Sequence, residues 1–238
     1  EAKGIERLKD PAIRARLKRE VAAGSMPGWS NLVQASGGWD HVTLANAFNP
    51  AYDKYAGQSF AAIGKALHKD PADAAWDIMV GALPHRAYAL YYMMDERDIE
   101  TALRQPWVSI GSDAGASQKI GQIDGIGLPH PRAYGNLTRV LAEYWRKRGT
   151  ITLEDAVRKM TGWPAQRMGL TDRGLIREGM RADVLVFDPA KVQDNATYQH
   201  PVLVATGIDD VIVNGKLTID EGRMTGVRAG VVLRHGCG

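Results

Sequence analysis

Apolar positions along this chain change period several times, and each change marks an element. In residues 5–22, Ile5, Leu8, Ile13, Leu17 and Val21 approximate one face, while Arg14, Arg16, Lys18 and Arg19 cover the other. That pattern predicts an amphipathic helix, broken or kinked early by Pro11. Residues 24–38 are rich in Gly and Ser and read as loop. Residues 39–47 (WDHVTLANA) suit a strand that ends at Asn49-Pro50. Residues 59–68 and 71–80 read as helices, the second with Asp70 as N-cap and Pro71 at its first position. Residues 85–94 are aromatic and apolar and read as a buried strand. Residues 95–103 read as a short helix with Asp95 as its cap, and 106–110 as the next strand. This alternation predicts parallel β/α units.

A polar, Gly-rich loop follows at 114–131, long enough to suggest a functional role. Residues 136–148 predict a helix closed by Gly149, and 152–160 another, opened by a capping-box-like Thr152 and Asp155. Residues 164–168 predict a short helix stopped by Gly169. The period then becomes two. Residues 183–187 read as a strand. Val211-Ile212-Val213, Asn214-Gly215 and residues 216–219 read as a hairpin with a type I′ turn. Residues 231–233 suit a last strand. The division expected is an α/β portion at 1–175 and a β-rich portion at 176–238.

Composition narrows the class. The chain of 238 residues is 45% hydrophobic and 24% charged, ordinary for a globular protein. No apolar run approaches the roughly 18 residues that span a bilayer. The charged, helical opening does not resemble a signal peptide and reads as the inside of a longer protein. The net charge is +3, and the basic residues are dispersed rather than set in a nucleic-acid-binding stripe. Cys237 stands alone, so no disulfide forms within the chain and no Cys-rich zinc site exists. A reducing, cytoplasmic setting is expected.

Candidate chemistry concentrates in two places. Asp113 closes the apolar run Ile110-Gly111-Ser112 at the expected carboxyl end of a strand, where parallel barrels keep their active sites. A carboxylate there suits metal binding and proton transfer, and equally an Asx-turn that caps the loop. His130 is flanked by prolines that hold it extended. Arg132 offers a planar fork for a carboxylate, or for a structural ion pair. Tyr134 can stack on a ligand or hydrogen-bond to it. His41 and His85 fall on expected strands and His68 and His200 on the surface. Neither His-x-His nor a dinucleotide or P-loop signature is present.

The order of motifs is more specific than any one of them. Gly-Ser-Asp at 111–113, His-Pro-Arg-x-Tyr-Gly at 130–135, Arg139-Val140-Leu141 with Tyr144, and residues 153–162 lead the series. Pro164-Ala165, Gly169-Leu170, Asp172-Arg173-Gly174, Ala182-Asp183, Phe187-Asp188-Pro189 and Gly207-Ile208 continue it. Together they resemble the C-terminal half of the D-aminoacylases, the N-acyl-D-amino-acid deacylases of the amidohydrolase superfamily. The resemblance is dense over 106–234 and looser over 29–105.

It implies the C-terminal part of a TIM-type, metal-dependent hydrolase barrel with a helical insertion, plus part of a small β-sandwich. It implies zinc-dependent hydrolysis of an N-acyl-D-amino acid to a carboxylate and a D-amino acid. Asp113 matches the metal-site aspartate that serves as general base and acid. Arg132 matches the arginine that holds the substrate's α-carboxylate, with His130 and Tyr134 in the same loop. Ala114 replaces the family's usual Gly after that aspartate, and the stretch from Asp113 to His130 is longer than is typical. The family's metal-binding histidines and bridging cysteine lie upstream of the region resembled, so a fragment without activity of its own is expected. Half a barrel would expose a sheet edge and favour self-association. A hydrolase of cyclic amides, like hydantoinase or dihydroorotase, and a non-enzymatic interaction module remain alternatives. The His-Pro-Arg loop favours the deacylase.

Overall fold

The computed structural model describes residues 2–115 and 129–233. The chain divides into two compact units, one built on Glu1–Asp95 and the other on Glu96–Ala116 with Pro131–Gly238.

The first unit opens with α1 (Ala2–Glu6), a 3₁₀ turn (Arg7–Lys9) and α2 (Pro11–Ala23). Asp10 Oδ1 accepts the Ala12 N–H at 2.8 Å. Pro11 therefore begins a helix rather than kinking one, because its missing N–H is an orphan there anyway. A single turn, α3 (Leu32–Ala35), interrupts the expected loop, capped by the Asn31 side chain. Strand β1 (Val42–Asn46) leads to α4 (Phe60–Leu67), capped by Ser59, and α5 (Pro71–Gly81), capped by Asp70. Val42, Leu44, Phe60, Ile63, Ala74 and Ile78 form the core between them. Arg14 and Lys18 of α2 reach Asp73 and Asp77 of α5 at 2.5–3.5 Å.

The expected run 85–94 contracts to β2 (Tyr88–Tyr91), which pairs antiparallel with β1, Val42 opposite Tyr91. The parallel order expected for this region does not form. An antiparallel pair needs no crossover helix. With β1 as its one partner among the described residues, β2 is exposed at both ends and only half-buried between them.

The second unit contains α6 (Glu96–Leu103) and α7 (Arg132–Arg139), which continues directly as a π-helix over Val140–Lys147. Gly149, at φ 61°, follows its end in the left-handed conformation expected of a C′ residue. Then come α8 (Leu153–Met160), with Thr152 accepting the Asp155 N–H, and α9 (Gly162–Arg167). Leu103, Val140, Leu141, Tyr144, Ile151, Ala156 and Val192 are its core. Strands β3 (Val184–Phe187), β4 (Ile208–Val213), β5 (Lys216–Asp220) and β6 (Arg223–Met224) form one antiparallel sheet in that order. Asn214 and Gly215, at φ 47° and 75°, make the turn between β4 and β5. Positive φ at both central positions is the type I′ signature. Gly207, at φ 77°, lies so close to Val192 that a Cβ would overlap the Val192 backbone.

Two expected strands are absent. Residues 231–233 have no ladder partner among the described residues. Residues 106–110 join no ladder among the described residues because 105–107 turn instead of extending, the Val108 N–H donating to Gln105 O at 3.3 Å. Side chains also engage the carbonyls of this turn. Lys159 Nζ donates to Gln105 O, Arg158 Nη2 to Pro106 O at 2.8 Å, and Trp163 Nε1 to Trp107 O at 2.9 Å. Pro106 also lacks an N–H to offer a ladder.

Candidate active site

Asp113 sits at the end of that captured segment, in the second unit. The Ile110 N–H donates to Lys159 O at 3.1 Å, fixing the segment's last apolar residue to α8. Asn136 of α7 donates through Nδ2 to Gly111 O at 3.3 Å, and Ser112 Oγ accepts the Ala114 N–H at 3.3 Å. The loop is thus held from two sides. Asp113 itself is left-handed, at φ 48°, a conformation that Asp tolerates better than most residues. Its side chain is 88% exposed.

Arg132 opens α7 and places Nη2 2.8 Å from Asp113 Oδ2. Exposed ion pairs of this kind contribute at most about 1 kcal/mol, because water screens both charges. The pair is therefore a readily exchanged contact between a carboxylate and a fork that fits carboxylates. Tyr134 lies half-buried in the first turn of α7, two residues beyond Arg132. His130 is half-buried and falls with the first unit, so it is described apart from the Asp113–Arg132 pair. The structure thus brings together Asp113 and Arg132, with Tyr134 on the same helix.

Two residues of this region escaped the sequence reading. Asn136 looked like the start of a helix and instead anchors the Asp113 loop from the second turn of α7. Lys159 is fully buried on α8. The signal was available: Lys159 falls beside Ala156 and Met160 on the apolar face of an otherwise ordinary amphipathic helix, where a lysine is out of place.

Behind α7, Tyr144 donates from its hydroxyl to Glu96 Oε2 at 3.0 Å. Burial raises the Tyr144 pKa, and the Glu96 contact adds to that rise. Arg148 bonds Glu143 at 2.6 Å and holds its carboxyl below the usual range, against burial and with help from Lys147. The Tyr144–Glu96 bond ties the π-helix to α6, and the Arg148–Glu143 pair closes the end of the π-helix on itself.

No group of three or more His, Cys, Asp or Glu side chains that could hold a metal ion occurs among the described residues. Asp113 can supply one oxygen ligand. The described residues do not make a metal site by themselves.

The class of protein follows from comparison with known proteins. Residues 60–219 match the amidohydrolase family, and the chain belongs to that family. Its relatives narrow the class. A D-aminoacylase of Alcaligenes xylosoxydans xylosoxydans is 45% identical over 147 residues, covering 62% of this chain and 29% of the relative. An N-acyl-D-glutamate deacylase of the same organism is 34% identical over 215 residues, covering 87% of this chain and 41% of the relative. A crystal structure of D-aminoacylase superposes with a TM-score of 0.64 at 35% identity, over 79% of this chain and 36% of the other. The N-acyl-D-glutamate deacylase of Bordetella bronchiseptica, solved with zinc and a phosphonate inhibitor, gives 0.65 at 32% identity, over 80% and 38%. The resemblance read from the motifs is borne out, and the fold is that of a metal-dependent hydrolase. The chain spans well under half the length of these relatives. No helix among the described residues is long and apolar enough to cross a membrane.

Proposed function

We propose that this chain is the C-terminal part of a zinc-dependent N-acyl-D-amino-acid deacylase, with Asp113 as general base and acid and Arg132 as the clamp for the substrate's α-carboxylate. Residues 1–175 would belong to the C-terminal part of a metal-dependent hydrolase barrel with a helical insertion, and 176–238 would form part of a flanking β-sandwich. The observation that carries the reading is the convergence of Asp113 and Arg132 at 2.8 Å, in a chain whose relatives are deacylases of N-acyl-D-amino acids.

Asp113 takes a proton from the attacking water as its oxygen bonds to the amide carbon. When the tetrahedral carbon collapses, the C–N bond breaks and Asp113 returns that proton to the departing nitrogen. The products are a carboxylate and a D-amino acid. Arg132 exchanges its contact with Asp113 for the substrate carboxylate, which both frees the base and orients the amide. Tyr134, on the same helix as Arg132, would contact the substrate, and His130 precedes that helix in sequence. Zinc, when bound, adds Lewis acidity at the carbonyl, with its remaining ligands in sequence outside this chain. The isolated chain is inactive on this reading. The lone cysteine supports a cytoplasmic setting, and the dispersed charge supports a small molecule rather than nucleic acid as the partner.

The test compares an N-acetyl-D-amino acid with its α-amide in the protein carrying this chain at the length of its relatives. Strong preference for the free carboxylate supports the reading. Equal rates on both, or hydrolysis of cyclic amides instead, overturn it.

A further inference from the structure

Lys159 is the one charged residue among the buried core positions of the described chain, at 0% exposure. A lysine carries three donors and no acceptor. Here Nζ donates to Gln105 O, reaches Val108 O at 3.5 Å and faces Asp155 Oδ2 at 3.4 Å. Its own backbone carbonyl accepts the Ile110 N–H at 3.1 Å. A single residue therefore grips residues 105, 108 and 110 of one segment.

Stability does not demand an ammonium in this place. Well-packed apolar side chains of similar volume commonly replace a buried ion pair at no cost, or with a gain. A methionine would fill the same slot beside Ala156. What it could not do is fix two carbonyls three residues apart. The segment so fixed ends, three residues beyond Ile110, at Asp113. No bond from Lys159 reaches Asp113, so its influence passes through the backbone.

We propose that Lys159 is a positioning residue for the reaction: it sets the height of segment 105–110 and thereby the place of the Asp113 carboxylate. This rests on the role given to Asp113 above. Misplacing a reacting group by about 1 Å can cost on the order of a hundredfold in rate.

The experiment is a double-mutant cycle in the protein carrying this chain at the length of its relatives, assayed on an N-acetyl-D-amino acid. Lys159→Met should lower kcat roughly tenfold to a hundredfold with KM within about twofold, since Arg132 is anchored on α7 rather than on this segment. In an Asp113→Asn background, Lys159→Met should have no further effect on kcat, because the group it places is already disabled. A merely structural lysine would instead lower the rate by the same factor in both backgrounds, and that result overturns the proposal. Lys159→Gln, which keeps an N–H donor about one bond short of the same carbonyls, should recover part of the loss. If both variants fail to fold, Lys159 serves stability alone and the proposal is wrong. Should Asp113→Asn itself leave kcat unchanged, the assignment of Asp113 fails first, and that outcome is distinct from additivity.

Discussion

Arg132 Nη2 lies 2.8 Å from Asp113 Oδ2, so the two groups assigned opposite tasks satisfy one another in this chain. On the proposed roles, each would hold the other back while they remain together. A substrate carboxylate would compete for Arg132, and its arrival would release Asp113. Substrate binding and base activation would then be the same event.

That coupling predicts different failures for the two residues. Asp113→Asn keeps the shape and removes the proton acceptor, so kcat should fall about 10²–10⁴-fold with the fold retained. Arg132→Lys keeps the charge and loses the planar fork, so KM for N-acetyl-D-amino acids should rise at least as much as kcat falls. Steady-state kinetics on the acid and its α-amide separate the two. If Arg132→Lys weakens both substrates alike, its role as carboxylate clamp is wrong.

Metal content is a second check. One exposed carboxylate is far short of the three or four ligands that hold zinc tightly. The purified 238-residue chain, dialysed and analysed by mass spectrometry, should retain well under one zinc. About one tightly held zinc per chain would show that the ligand set is more complete than the described residues supply.

The stability of the chain should depend on pH in a defined direction. Burial would raise the Asp77 pKa, but hydrogen bonds from Lys69 at 2.6 Å and Arg14 at 2.7 Å outweigh it and hold the carboxyl below its ordinary value. Glu143 is depressed likewise. A group depressed in the folded state stabilises it above the unfolded pKa, roughly 4, and loses that effect as pH falls through the folded value. Denaturant midpoints should stay level from about pH 7 to 5 and drop below about 4. Asp77→Asn should flatten the drop. Midpoints that hold steady down to pH 3 would contradict this.

Gly207→Ala should be among the most damaging small substitutions. Its left-handed backbone costs about 1–2 kcal/mol with any Cβ, and here the methyl would also strike the backbone of Val192, a fully buried core residue. Urea unfolding checks this. A midpoint within error of wild type would mean that the β4 entry is not held as described.

How much of this was legible in sequence depends on the range of the cause. The caps at Asp70 and Thr152, the start at Pro11 and the Asn214-Gly215 turn are decided within four residues. Each is legible locally except Pro11, where the apolar pattern on both sides suggests one kinked helix and the Asp10 cap starts a new one. The run 85–94 and the segment 106–110 are decided by their neighbours. Tyr88 and Tyr91 are half-exposed because, among the described residues, β1 alone pairs with them, and Val108 is not in a strand because residues 105–107 turn, with Lys159, more than fifty residues away in sequence, packed against that turn. Alternation of apolar residues describes what a segment can pair with, not whether a partner is there. Asp113 and Arg132 were legible as chemical types in an ordered motif; that they would pair with each other was not.

The carbonyls of residues 105–107, already taken by Lys159, Arg158 and Trp163, have a consequence for how molecules of this protein would meet. A strand edge recruits other chains, and residues 105–107, turned and with their carbonyls engaged, present none. The four-stranded sheet is different. Leu185, Val186, Leu217 and Met224 stand exposed on it, with the consecutive Leu185 and Val186 on opposite faces, so both faces offer apolar surface of the sort that seeds clumping. At tens of micromolar, a range where such surfaces associate, sedimentation should find oligomers. Hydrogen exchange should map their new protection to β3–β6 and leave residues 105–108 as they were. The segment that delivers Asp113 would then stay open to whatever completes the site, even inside an aggregate.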